Sequence, residues 1–482
     1  MLKTTKLLSV IIILLIVFTF VIRFMFSVTF PSTWDQVDFV LALDRYDLLA
    51  MQPHFPGYPI FIFGGMIVHL FIENPSLSLS VFNGIIAVSA AIPMYLLARK
   101  YVDGVSALIV TLALQSSVYF MILVSQPMSE GSAIGVLWWF LWSLNIGLHN
   151  NKIRYQLLPL FLFSILMGIR LSYLPFGFGL LFLWWFDYKR NKDSIRLILF
   201  IFLAVLFQMI WVVALIMTEG SLNGFIKLSL AFVTGHFTSW GGTVVDTHEP
   251  FFTRLYELVI NNIIYVGMFA KSFIILLVFA GISIIALLKN KTDAAGNFLK
   301  KHYVMLTLLL MYFLWNLFAQ NIEKPRHSYP ITLMLLFLWL VYITGKHTLL
   351  KWACMGLTVM QLVIGIPILK EQAEKNPAVY QTANYLTQQD EEIVVYTWEE
   401  TRVFQYLDVP FEHKRFYTYD LFLQDKKYNK NKKIYVTNHL IEGFKEQGID
   451  VSDHLEEVKT FRSNELFDPV YDEITLYRWI DK

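Results

Sequence analysis

The chain has 482 residues, 56% of them hydrophobic and 16% aromatic, against 16% charged. A soluble globular protein cannot hide that apolar fraction in its core, so the composition excludes one and indicates a polytopic α-helical membrane protein. The net charge of +2 conceals a division: residues 371–482 hold 36 of the 76 charged side chains and sum to −8, which marks a separate soluble domain after a membrane domain of residues 1–370.

The single cysteine, Cys354, excludes a disulfide framework and a multi-cysteine metal site. The first apolar run, 7–29, follows Lys3 and Lys6. Its length, with no small-residue cleavage motif after it, favours a retained anchor over a cleaved signal peptide. Further windows of spanning length fall at 77–98, 104–124, 131–148, 195–217, 272–288, 303–319, 329–344 and 350–369. Residues 155–187 are too long for one span and short for two, and 58–73 are too short for a span.

The distribution of Lys and Arg resolves both regions. With 58–73 kept at the outer face and 155–187 folded as a short hairpin, 16 basic residues fall on one side: Lys3, Lys6, Arg99, Lys100, Lys152, Arg154, Lys189, Arg190, Lys192, Arg196, Lys289, Lys291, Lys300, Lys301, Lys346 and Lys351. Six fall on the other: Arg45, Lys227, Arg254, Lys324, Arg326 and Lys370. The expected topology is about eleven spans, N-terminus inside and C-terminus outside. The outer face then carries the loop 30–76, the segment 125–131, a long loop 218–257, the segment 320–330 and the soluble domain. A transporter would place ionisable groups and broken helices at the midplane, in matching halves. Here the intramembrane charges are Arg23, Arg170 and Lys271, and no half repeats.

Polar chemistry gathers in a few outer motifs. In "WDQVDF" Trp34, Asp35 and Asp38 follow the first span directly, and the three-residue spacing of the aspartates points both carboxylates the same way on a helix. A partly dehydrated carboxylate is a candidate general base, and a solvated or capping role is the alternative. Asp44 and Asp47 belong instead to the polar face of an amphipathic "FVLALDRYDLLAM" lying on the membrane. "HFPGYP" sets His54 and Tyr58 in a rigid turn.

"QPMSEG" puts Glu130 at the outer end of a helix as a second acid, a metal ligand or a helix-terminus charge. "GIRLSYLP" puts Arg170 at a hairpin apex, as an anion contact or as a partner for one of the acids. "EKPRHSYP" gathers Lys324, Arg326, His327 and Tyr329 where a lipid phosphate would sit, with interfacial anchoring as the alternative. The loop with His236, Trp240, Asp246, His248 and Glu249 is polar and aromatic enough to line a sugar site, but fits no metal motif. A divalent cation stays open at Asp35, Asp38 and Glu130. In the tail, 377–389, "ETRVFQYL" and "LIEGFKEQG" read as helices, and "EEIVVYTW", "KKIYVTNH" and "EITLYRWI" as strands of a partly parallel α/β domain without a phosphate loop.

Taken in order, "WDQVDF", "HFPGYP", "MSEG", "GIRLSYLP", "PRHSYP" and an extracytoplasmic α/β tail resemble the GT-C superfamily of integral-membrane glycosyltransferases. The nearest in layout are the protein O-mannosyltransferase and aminoarabinose-transferase-like members and bacterial relatives with a "D…EF…HPPGYP" pattern. The resemblance covers the whole chain in layout and about 30 residues in motif. It implies a bacterial cytoplasmic-membrane enzyme that transfers a sugar, with inversion, from a polyprenyl-phosphate donor to a cell-envelope glycan, lipid or protein acceptor. Nucleic acid is not an expected partner.

By the same resemblance Asp35 is the base and Asp38 holds the second acidic position, where relatives often show Glu. Arg326, with Lys324 and Arg170, holds the donor phosphate. His54 falls on the motif histidine while Phe55 replaces the first proline, and His327 stands where relatives often carry an aromatic residue. Two other classes fit the layout: an envelope polysaccharide polymerase, flippase or lipid-linked transporter, and a sensor reading an outer ligand through the C-terminal domain.

Overall fold

The structure is a computed structural model that describes the chain except residues 1, 248, 290–293, 346–347, 417 and 482, and the side chains of 2–5, 289 and 294–298. His248, Lys291 and Lys346 therefore lie outside the described residues, as do the side chains of Lys3 and Lys289. Two compact units divide the chain: Met1–Thr29 with Leu41–Ala373, and Phe30–Val40 with Glu374–Lys482.

In the first unit, helices long and apolar enough to cross a bilayer include Lys6–Met25, Pro75–Ala98, Glu130–His149, Ser194–Glu219 and Leu299–Ala319, with a sixth opening at Thr348. Two bent pairs, Gly104–Gln115 with Val118–Val124 at 59° and Phe251–Met268 with Phe273–Leu288 at 98°, raise the number to eight. Pro59–His69, Ile153–Ile169 and Tyr329–Thr344 are shorter apolar helices. Every window expected from hydropathy lies on helix, and the protein is a multi-pass membrane protein. The local signals are ordinary ones. Asn74 and Asp103 accept from backbone N–H groups of the helices they precede, and Gly220, at φ 70°, closes Ser194–Glu219 in a conformation that favours glycine.

Two expectations need correction. The helix that starts at Trp34 ends at Asp44, and Asp47 sits beyond it in a turn, where its Oδ1 accepts from the N–H groups of Leu49 and Ala50 at 3.1 Å. Asp47 is thus a turn residue and not part of a helical polar face. Residues 218–257 are not an open loop: they form the helix Leu222–Gly235, a π-helical turn His236–Trp240 and short helices Val244–Thr247 and Phe251–Tyr256. Residues 258–271, which the sequence leaves unassigned between that loop and the next span, continue the helix as far as Met268, before the bend at Phe273.

The second unit is a five-stranded sheet of β1 (Ile393–Thr397), β2 (Glu412–Arg415), β3 (Lys433–Thr437), β4 (Leu455–Arg462) and β5 (Glu473–Trp479), in the order β2-β1-β3-β5-β4. β1 pairs in parallel with β2 and β3, and β5 runs antiparallel to β3 and β4. All five residues of β1 are buried, as a central strand between parallel neighbours requires. Val394, Tyr396, Phe422, Val436, Leu440 and Phe444 form the core between sheet and helices. Residues 30–40 cluster with this domain, not with the remainder of the 30–76 stretch.

Candidate functional site

In the first unit the ionisable residues of three separate motifs meet in one buried group. Glu130 opens the helix Glu130–His149 and is fully buried. Its Oε1 lies 3.1 Å from Arg170 Nη2 and 3.0 Å from Arg326 Nε. Arg170 and Arg326 are themselves only 8% and 7% exposed. Both contacts are close ion pairs without the alignment of a hydrogen bond, whereas Arg170 Nη1 donates squarely to Ser129 Oγ at 2.8 Å. Two guanidinium groups therefore share one carboxylate away from water.

The backbone holds this group through polar ties at every element. Asn83 donates from Nδ2 to the carbonyls of Gln126 (2.8 Å) and Met128 (2.6 Å) and accepts from Ser132 N–H (2.9 Å), which fixes the turn that presents Glu130. Arg170 is the extended residue between the helix Ile153–Ile169 and the 3-10 turn Leu171–Gly177. Arg326 lies in the 3-10 turn Pro325–His327, to which Tyr312 is tied by donating its hydroxyl to the His327 carbonyl at 3.0 Å. Tyr312 stacks on Phe176 at 4.6 Å, so the two turns share an aromatic support. The buried Tyr173 hydroxyl, in the first of those turns, has no hydrogen-bond partner among the described residues.

His327 belongs to the same neighbourhood but not as a cation. Burial, and then the positive charges of Arg170, Arg326 and Lys324, push its pKa well below the usual histidine value. Its Nδ1 lies 3.2 Å from the Asn321 carbonyl, which can only accept, so Nδ1 carries the proton and Nε2 is left as an acceptor. A neutral imidazole in that tautomer offers no ammonium-like contact to phosphate.

The "HFPGYP" turn is built around Gly57 at φ 86°, whose carbonyl accepts from the Tyr46 hydroxyl at 2.7 Å. His54 Nε2 and the Tyr58 hydroxyl lie 3.1 Å apart, and Pro59 starts the next helix. Phe55, standing where the related pattern has proline, is buried and packs its ring 4.9 Å from Phe232. Phe232 in turn meets Trp240 at 4.7 Å and His236 at 6.2 Å. His236 is bound through Nε2 to the Ala319 carbonyl at 2.9 Å, while Trp240 stays 53% exposed. Of the two, Trp240 is the one presented for stacking.

The second unit contains Trp34, Asp35 and Asp38. Asp38 is fully buried, and its Oδ1 accepts from Arg402 Nε and Nη2, both at 2.8 Å. The Arg415 guanidinium lies between two indoles, 4.5 Å from the ring centroids of both Trp34 and Trp398. Asp35, in the first turn of its helix, is half-buried. Arg402, Arg415 and Trp398 all stand at the carboxyl ends of the parallel strands β1 and β2, the end where open α/β sheets bind their ligands. Glu400 and His439 occupy the same end of β1 and β3, with Nδ1 2.6 Å from Oε1.

No group of three or more His, Cys, Asp or Glu side chains assembles as a metal-ligand set among the described residues. Glu130 and Asp38, which the sequence left open as ligands, have their carboxylates committed to arginines.

No protein-family model matches the sequence, and no curated protein does. Among solved structures, ArnT from Cupriavidus metallidurans bound to undecaprenyl phosphate aligns over 97% of this chain and 97% of its own, with a TM-score of 0.56 at 10% identity. The same protein in the apo state aligns over the same shares, with a TM-score of 0.54 at 11% identity. The chain has an ArnT-like membrane fold. ArnT is an aminoarabinose transferase with the GT-C fold, so the architecture expected from the order of motifs is the one observed.

Within the ArnT-like fold, the sequence names Glu130, Arg170 and Arg326 and offers Arg170 as a partner for one of the acids, but not the sharing of Glu130 by both arginines. It missed Ser129, Tyr173 and Tyr312, uncharged residues in apolar surroundings. It also missed Arg402 and Arg415, which sit in unremarkable polar stretches of the tail. The signal for Arg402 was indirect: a buried aspartate demands a cation.

Proposed function

We propose that the protein is a membrane glycosyltransferase that takes a sugar from a polyprenyl-phosphate donor and transfers it to an extracytoplasmic acceptor of the cell envelope. The observation that carries this reading is the buried group Glu130, Arg170 and Arg326, in which one carboxylate faces two guanidiniums. Two buried guanidiniums already oriented by one carboxylate are a preorganised place for a phosphate. Arginine forks match phosphate oxygens, Lys324 adds a point charge, and the Tyr173 hydroxyl has a donor to offer. The shared fold with ArnT, which binds undecaprenyl phosphate, supports the lipid-linked form of that phosphate.

In the reaction, a hydroxyl or amine of the acceptor attacks C1 of the sugar and Asp35 removes its proton. The C1–oxygen bond to the lipid phosphate breaks with inversion. Arg326, Arg170 and Lys324 stabilise the charge that develops on the departing phosphate, where preorganised cations help most. Asp38 is assigned a supporting role, since its carboxylate is engaged by Arg402. An isoprenoid tail docked on apolar helices contributes about 0.8 kcal/mol per buried CH2. The resemblance favours a bacterial cytoplasmic-membrane location, and the distribution of Lys and Arg supports an N-terminus inside and a C-terminal domain outside.

The test is to offer the purified protein a panel of radiolabelled polyprenyl-phosphate sugars together with a cell-envelope fraction as acceptor, with and without EDTA. The reading expects one or more to lose sugar and release polyprenyl phosphate. Label that crosses a vesicle bilayer without transfer would instead establish a transporter.

A further inference from the structure

The helix Glu130–His149 has the arginine group at its first residue and a second feature at its last turns. Twenty residues at 1.5 Å each separate the two by about 30 Å, the thickness of a bilayer core. There, a cavity of about 510 Å³ opens between Lys100 and Tyr101, the end of that helix, Phe186, and the start of the helix that later leads to Arg326. Its volume lies within the range of small-molecule sites.

The lining divides into two chemistries. Leu97, Leu141, Leu144, Met305 and Leu308 make an apolar wall. Lys100, Lys301, His149 and His302 supply the polar part, and no carboxylate is among the described residues that line the cavity. The cations are oriented: Lys100 Nζ is bound to Asn145 Oδ1, and Lys301 Nζ lies 4.8 Å from the Tyr101 ring centroid. Tyr101 is itself packed on His302 at 4.2 Å. A basic mouth and an apolar wall between membrane helices suit an anion that carries a hydrocarbon chain.

We propose that this cavity is a lipid site separate from the Glu130 group, which holds the phosphate of an anionic glycerophospholipid between Lys100 and Lys301 and lays its acyl chain along the leucine wall. A bilayer supplies such a lipid at this depth, whereas a zwitterionic lipid brings a cation that meets lysine with repulsion.

The experiment is lipid retention by the purified full-length protein, measured by native mass spectrometry after incubation with phosphatidylglycerol, phosphatidylcholine or inorganic phosphate. Phosphatidylglycerol should be retained at least tenfold better than phosphatidylcholine, and Lys100→Gln with Lys301→Gln should abolish that preference. The charge-conserving pair Lys100→Arg with Lys301→Arg should keep it, which controls for misfolding of the Gln pair, and raised ionic strength should weaken it. Equal retention of the two lipids would overturn the proposal. So would displacement of the lipid by equimolar inorganic phosphate, or loss of the preference in Arg326→Gln but not in the lysine pair.

Discussion

Arg402 Nε and Nη2 both reach Asp38 Oδ1 at 2.8 Å, across 364 residues of sequence, and the aspartate has no exposure to solvent. The pair joins the acidic motif after the first apolar helix to the sheet domain at the end of the chain. Asp35, three residues earlier on the same helix, is half-buried. Asp38 is thus held in a buried ion pair, and Asp35 is the residue proposed for proton transfer.

Breaking that buried pair from either side costs about 3–5 kcal/mol. Arg402→Ala and Asp38→Asn should both lower the thermal midpoint of the purified protein, and Arg402→Ala with Asp38→Asn together should lose less than the sum. Strict additivity would show that the contact carries no coupling.

Removing Glu130 acts in the opposite sense on two properties. Glu130→Gln removes the carboxylate that Arg170 and Arg326 share, so the fold should weaken while affinity for anions rises. Inorganic phosphate should raise the thermal midpoint of Glu130→Gln more than that of the wild-type protein. Arg326→Gln should reduce kcat/KM by about 100-fold, the scale seen when one preorganised donor to a developing anion is lost.

The turn at Gly57 offers a steric test. A Cβ there would lie 2.4 Å from the Tyr46 hydroxyl and 2.7 Å from Leu215 Cδ2, in a backbone conformation, φ 86°, that L residues avoid. Gly57→Ala should cost about 1–3 kcal/mol and disturb the neighbouring His54 and Tyr58. Thermal denaturation of the variant measures it.

The Glu400 and His439 pair makes the stability of the sheet domain depend on pH. Burial opposes both charges, but the mutual attraction wins, so the His439 imidazolium is held above the usual histidine pKa and the Glu400 carboxyl below the usual carboxylate range. A raised histidine contributes fully below its unfolded value of about 6.5 and loses that contribution as pH rises through its folded value. A depressed carboxyl contributes above about 4.3 and loses it as pH falls. Stability from the pair is therefore greatest between these two values. His439→Gln should flatten the alkaline side of the curve, measured as the thermal midpoint of the purified protein against pH.

Much of this architecture was legible because hydrophobicity is a strong signal in a membrane chain: each window of apolar residues became helix, and the six named elements of the tail appeared within a few residues of their expected bounds. What escaped is physically consistent. The strands β2, "EHKR", and β4, "LEEVKTFR", lie at the two edges of the sheet, where charged residues are tolerated and no apolar run marks the strand. The helix Leu222–Gly235 has no buried residue and is interrupted by Lys227, so it lacked the continuity of a span. For the site, the charged members were visible one by one as residues that need partners. The sharing of one carboxylate by two arginines was not, because Glu130, Arg170 and Arg326 come from three distant turns, and Asp38 finds its arginine 364 residues further along the chain.

The most direct measurement is single-turnover release of polyprenyl phosphate from the radiolabelled donor that the wild-type protein uses, with Asp35→Asn compared at equal amounts of folded protein. Loss of the base should slow release by about 10²–10⁴-fold while donor binding persists. Release at the wild-type rate by Asp35→Asn, with the donor bound as before, would contradict the account.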